Sequence, residues 1–296
     1  MAYAHNGDVD IYFETFGEPL DPALLLVNGL GSQCINYYTA WCERFVDRGF
    51  FVIRFDNRDV GLSAKFGEFP PDFQGFTEAR RRGEEPEVAY RLPDMAEDAI
   101  AVLNHLEIEQ AHVMGLSMGG MIVQQMAIDF PERLLSMTSV MSSTGDPDVG
   151  QSTPEAQAIL FGPPATDRES AIARHLEGNR IFGSPGHFDA ERLTASAAEA
   201  FDRSFYPEGT VRQILAVASS GSRSEALRSV IVPTLVLHGD ADTLIDISGG
   251  RRTAECIPGA NFVVLEGMGH DYPPAYWDRW VQLVGDHAGV GVDEEA

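Results

Sequence analysis

The sequence has only three cysteines in 296 residues, Cys34, Cys42 and Cys256, at spacings that fit neither a metal site nor a redox motif. Their odd number fits a reducing compartment without a disulfide framework. Basic residues are also scarce: 21 Lys and Arg stand against 45 Asp and Glu, a formal net charge of −24. A field of that sign repels phosphate backbones and anionic headgroups, which argues against nucleic acid as a partner and against electrostatic docking on membranes. No apolar run is long enough for a membrane span, and Met1 to Asp10 lacks the basic and apolar regions of a signal peptide. The expected location is therefore cytoplasmic. Internal repeats and low-complexity tracts are lacking too.

Apolar residues make up 44% of the chain and charged residues 22%, enough to bury one large core. Short β-rich runs alternate with helical patterns up to about residue 142, stop, and resume near residue 231. That pattern predicts an α/β domain interrupted by an insertion. Val9 to Thr15 alternates like an edge strand, whereas Ala23 to Val27 is continuously apolar, as a strand buried on both faces should be. Phe51 to Phe55, Ala111 to Leu116, Leu134 to Met141, Thr234 to His238 and Phe262 to Leu265 read as further strands. Between the central ones, Met95, Ala99, Val102, Leu103 and Leu106 recur at helical spacing behind Pro93 and Asp94. Strand, helix, strand in that order implies a parallel sheet. The boundaries are a core of 1–143 and 230–290, a helical cap over 144–229, and an acidic tail over 291–296.

Gly115-Leu116-Ser117-Met118-Gly119 follows an apolar strand and opens a helical pattern. A serine placed on such a sharp turn is lifted clear of the sheet, and glycines two positions to either side relieve the crowding the turn creates. The pattern alone is weak, and its context strengthens it. A serine hydroxyl needs a base, and the base needs a group that orients it. His270 follows Gly267-Met268-Gly269 just past one strand end, and Asp240, Asp242 and Asp246 follow another. In a parallel sheet those ends open onto the same edge as Ser117. His238 closes its strand and reads as structural. The oxyanion of acyl transfer needs backbone donors: Met118 N–H at the helix start, and Leu30 N–H in the loop Asn28-Gly29-Leu30-Gly31.

With these motifs in place the chain resembles the α/β-hydrolase superfamily, most closely the esterases similar to aclacinomycin methylesterase and the actinobacterial lipase/esterases. The likeness spans the Val27 to Ser32 loop, the run from Arg54 to Ser63, the elbow, His238 to Asp242, and Gly267 to Asp271. It implies a mostly parallel central sheet flanked by helices, with an inserted helical cap. The family's His-Gly-x-x-Asp pattern places the acid at Asp242, with Ser117 as nucleophile and His270 as base. Asn28 stands where members often have histidine. Arg58 and Asp59 are expected to form local ion pairs. The implied activity is hydrolysis of a carboxylic ester of a small to medium apolar substrate, with no metal or organic cofactor. A thioesterase, lactonase, carbon–carbon hydrolase or perhydrolase would use the same triad, and a ligand receptor would keep the fold without the chemistry. Ser117 at the elbow excludes the dehalogenases and epoxide hydrolases, which need a carboxylate there. Phe161, Phe182, Phe188, Phe201, Phe205 and Tyr206 of the cap, with Phe66, Phe69, Phe73 and Phe76 after Ser63, are candidates for the pocket wall. Phe201 and Phe205 are expected to be neighbours on one helix. A homo-oligomer is left open.

Overall fold

The computed structural model describes residues 2–291. The strands are β1 (Ala2–Asn6), β2 (Val9–Phe16), β3 (Ala23–Val27), β4 (Phe51–Phe55), β5 (Ala111–Leu116), β6 (Leu134–Val140), β7 (Thr234–Gly239) and β8 (Asn261–Leu265). They form one sheet in the order β1-β2-β4-β3-β5-β6-β7-β8. The pairs β1–β2 and β2–β4 are antiparallel, and every pair from β4–β3 to β7–β8 is parallel. The helices are α1 (Thr39–Asp47), α2 (Phe73–Arg81), α3 (Leu92–His105), α4 (Met118–Asp129), α5 (Pro154–Leu160), α6 (Arg168–Phe182), α7 (Ala190–Arg203), α8 (Pro207–Ser220), α9 (Ser224–Leu227), α10 (Ser248–Cys256) and α11 (Trp277–Ala288).

The sheet has two buried faces: β3, β4, β5 and β7 are buried at every position, and both sides of β3 and β5 carry mainly apolar side chains. Leu25, Val27 and Val113 point to one side and pack with Met95 and Ala99 of α3 and Ile122 and Met126 of α4. Leu24, Leu26, Met114 and Leu116 point to the other, against Trp41 and Phe45 of α1 and Trp280 and Val284 of α11. Burying each such side chain contributes roughly 1.5–3 kcal/mol. Both layers hold β5 at the centre of the sheet, and Ser117 stands at its carboxyl end.

Three expectations need correction. Val9 to Thr15 is not the edge: β1 pairs with β2 through a two-residue Gly7-Asp8 turn, with Ala4 opposite Ile11, and takes the edge itself. The partners of Arg58 and Asp59 are distant in sequence. Arg58 pairs with Asp98 of α3 at 2.6 Å, and Asp59 with Arg212 of α8 at 2.8 Å. Phe205 lies past the end of α7 rather than on it, although its ring centroid is 4.5 Å from that of Phe201.

The stretch read as an insertion contains α5 to α9 and no strand among the described residues. The tail was expected over 291–296, and from Val292 onward it lies outside the described residues.

Candidate active site

The chain leaves β5 at Leu116 and enters α4 at Met118, so one residue must make the whole turn. That residue, Ser117, has φ 55° and ψ −117°, a conformation that side-chain-bearing residues rarely adopt. Hydrogen bonds over-determine it: Ser117 N–H donates to Val140 O at 2.9 Å, and Ser142 Oγ donates to Ser117 O at 2.8 Å. The flanking glycines are required by close approach. A Cβ on Gly115 would lie 2.1 Å from Gly119 O, and one on Gly119 would lie 2.0 Å from Val27 O.

Past β7, Asp242 is fully buried at its carboxylate. Its Oδ1 accepts the amides of Leu244 and Ile245, each at 2.9 Å, and its Oδ2 lies 2.7 Å from His270 Nδ1. Burial pushes the carboxyl up, but the charge on His270 and hydrogen bonds from His238 and His270 outweigh it and hold Asp242 well below the usual carboxylate range. The contact at Nδ1 turns the other ring nitrogen of His270, Nε2, away from Asp242. His238 Nε2 faces Ile245 O at 2.8 Å and lies 3.4 Å from Asp242 Oδ2, so it braces the loop that carries Asp242.

The other two aspartates serve the turns. Asp240 Oδ1 accepts the Gly267 amide at 2.7 Å, and Asp246 Oδ1 accepts the Ser248 amide at 2.7 Å at the start of α10.

Ser117, His270 and Leu30 line one cavity of about 1080 Å³. No hydrogen bond joins Ser117 Oγ to His270 among the described residues; such contacts commonly tighten only when substrate is bound. Met118 is the first residue of α4, so its N–H has no intrahelical acceptor. Gly29 lies directly over the serine, and a Cβ there would be 3.3 Å from Ser117 Cβ. The Asn28 side chain, in place of histidine, donates to Gln33 O at 3.0 Å and closes the loop on itself, while the Asn28 backbone carbonyl accepts from Asn57 Nδ2 at 3.0 Å and ties the loop to the segment after β4.

Of the candidate wall residues, Phe161, Phe182, Phe201, Phe205, Tyr206 and Phe73 face the cavity. Phe188, Phe66, Phe69 and Phe76 do not; Phe66 packs edge-on against Tyr90 instead.

The segment after α6 clasps the histidine loop, which sequence reasoning missed. His270 N–H donates to Phe182 O at 2.6 Å, and Gly269 N–H donates to Ser184 Oγ at 2.9 Å. Ser184 in turn binds Asp271, whose carboxyl is raised by burial. Gly269 is demanded by this contact, since a Cβ there would lie 2.4 Å from Gly183 C. Glycine at that position was visible in the sequence; its partner was not.

The α/β-hydrolase fold family matches residues 22–272 of the chain, most of its length. The chain belongs to that family. Among its relatives, rhodomycin D methylesterase DnrP of Streptomyces peucetius is 31% identical over 298 residues, covering 91% of this chain and 92% of the relative. The 3-oxoadipate enol-lactonase 2 of Acinetobacter baylyi is 28% identical, covering 88% and 86%. A solved meta-cleavage product hydrolase from Pseudomonas fluorescens IP01 superposes with a TM-score of 0.78 at 19% identity, covering 98% and 97%. As an α/β hydrolase with methylesterase relatives, the chain is a hydrolase. No described helix is long and apolar enough to cross a membrane.

Proposed function

We propose that this hydrolase cleaves a carboxylic ester through an acyl-enzyme on Ser117. His270 takes the proton from Ser117 Oγ as the oxygen bonds to the acyl carbon, and returns it to the departing alcohol. Water then attacks the acyl carbon with the same base and frees the acid. Asp242 keeps Nδ1 of His270 occupied, leaving Nε2 for proton transfer. The amides of Met118 and Leu30 receive the developing oxyanion, where losing one donor typically costs about 2.7–4 kcal/mol. Residues 144–229 act as a cap whose aromatic side chains shape an apolar acyl or alcohol site over the core of 1–143 and 230–290.

The observation that carries this reading is the 2.7 Å contact between His270 Nδ1 and a buried Asp242, with His270 lining the same cavity as Ser117. The enol-lactonase among the relatives makes lactones worth including beside open-chain esters in a substrate screen.

Ser117→Ala should fold normally and lose essentially all turnover of a short p-nitrophenyl ester, together with labelling by a fluorophosphonate. Labelling that persists in the variant would place the nucleophile elsewhere.

A further inference from the structure

A side chain of α8 reaches across to the oxyanion loop and holds it at Gly31. Gln213, on α8, is fully buried, and its Oε1 accepts the Gly31 amide at 2.8 Å. Its Nε2 donates to Arg58 O at 2.9 Å. The second bond fixes the orientation of the first: the Arg58 carbonyl can only accept, so the amide nitrogen must face it and the amide oxygen must face Gly31. Arg58 is itself held to α3, since its guanidinium grips Asp98 at 2.6 and 2.8 Å and the Asp94 carbonyl at 3.0 Å. A chain of bonds thus runs from α3 through Arg58 and Gln213 to the peptide between Leu30 and Gly31.

That peptide needs an anchor. Gly31 sits at φ +66°, and Ser32 N–H closes the turn onto Gly29 O at 3.2 Å. Glycines at 29 and 31 leave the loop free to rotate about Leu30 at little cost. The donor proposed for the oxyanion, Leu30 N–H, is one residue before the anchored amide. Rotation there would swing it away from the acyl oxygen.

We propose that Gln213 is a positioning residue for catalysis, acting through Gly31 to aim the Leu30 amide at the oxyanion. This rests on the acyl-enzyme reading above. It also means that α8 takes part in transition-state stabilisation as well as in covering the pocket. Gln213 does not line the cavity, so its effect reaches substrate only through the loop.

The test compares Gln213→Leu and the closer isostere Gln213→Met with the wild type, using a short p-nitrophenyl ester and an alkyl trifluoromethyl ketone. The ketone forms a tetrahedral adduct with a serine nucleophile and so reports the oxyanion site, whereas the carboxylic acid product reports ground-state binding. The expected result is a kcat lowered about 10- to 100-fold, as for a misplacement of about 1 Å, with KM changed by less than about threefold. Ketone affinity should fall by the same factor as kcat, and product affinity should hold.

Arg212→Met provides the control, since Arg212 also ties α8 to the core, makes no bond to the loop and does not line the cavity, meeting its wall only at the Tyr206 hydroxyl. It should lower stability and leave ketone affinity unchanged. Wild-type ketone affinity in either folded Gln213 variant, or a rise in KM at constant kcat, overturns the proposal. If instead the wild type forms no ketone adduct that depends on Ser117, the acyl-enzyme reading itself fails.

Discussion

Asp240, Asp242 and Asp246 follow one strand, and each carboxylate meets a different partner: a backbone amide of the neighbouring loop, the ring of His270, and the first turn of α10. Asp242→Asn should therefore lower kcat by roughly 10⁴, because an amide no longer holds the imidazole in the working tautomer. Asp240→Asn keeps an oxygen for the Gly267 amide and should change kcat little. Asp246→Asn should likewise leave kcat near normal and cost at most about 1 kcal/mol of stability. Measuring kcat on one ester with melting curves separates lost chemistry from misfolding, and a collapse in either of the outer variants with Asp242→Asn active would reassign the acid. The carboxyl of Asp242 is depressed in the folded chain, so its stabilising contribution is full above the ordinary carboxylate range and is lost as pH falls toward its folded value. The choice of acid needed the family's spacing, because composition around β7 treats the three aspartates alike.

At the scale of elements, α6 to α8 meet the loops that carry Leu30 and His270 at particular backbone groups as well as forming part of the wall of the cavity. The rings of Phe201 and Phe205 lie with their centroids 4.5 Å apart, tilted by 35°, on that wall. Replacing either with alanine should reorder activity across a series of esters of differing acyl and alcohol size, more than it changes turnover of the smallest. An unchanged ranking would remove both from the substrate's path. The central strands and the elbow were legible in the sequence because their requirements are local: an unbroken apolar run, a glycine at a fixed offset, a proline at a helix start. The short helices α1 and α2 and the first hairpin were not read, since a few turns or five residues carry little periodicity. Contacts such as Gln213 to Gly31, 182 residues apart, leave no local signature at all.

For the whole molecule, a net charge of −24 sets the surface apart from the interior, where arginines are paired with carboxylates across the seam between the sheet and α7 and α8. Arg203 reaches Asp56 at 2.8 Å, and Arg212 grips Asp59 through Nε at 2.8 Å and a terminal nitrogen at 2.9 Å. Asp59 is fully buried and also accepts Tyr90 Oη at 2.6 Å and the Phe66 amide at 2.9 Å. Such pairs add little net stability over apolar residues of the same shape, but removing one partner strands the other charge out of water. Arg212→Met leaves the Asp59 carboxylate with only its two neutral donors. The expected cost is about 3 kcal/mol, a drop in Tm of about 6 °C for a chain of this size. Because the seam joins the two parts at several buried points, α5 to α9 should not melt separately from the sheet. Scanning calorimetry should therefore give one transition for the wild type and the variant, with matching calorimetric and van't Hoff enthalpies. An unchanged Tm would mean that the pair is dispensable. A second, earlier transition would mean that the inserted helices fold on their own, and that the seam aligns two parts without making them one cooperative unit.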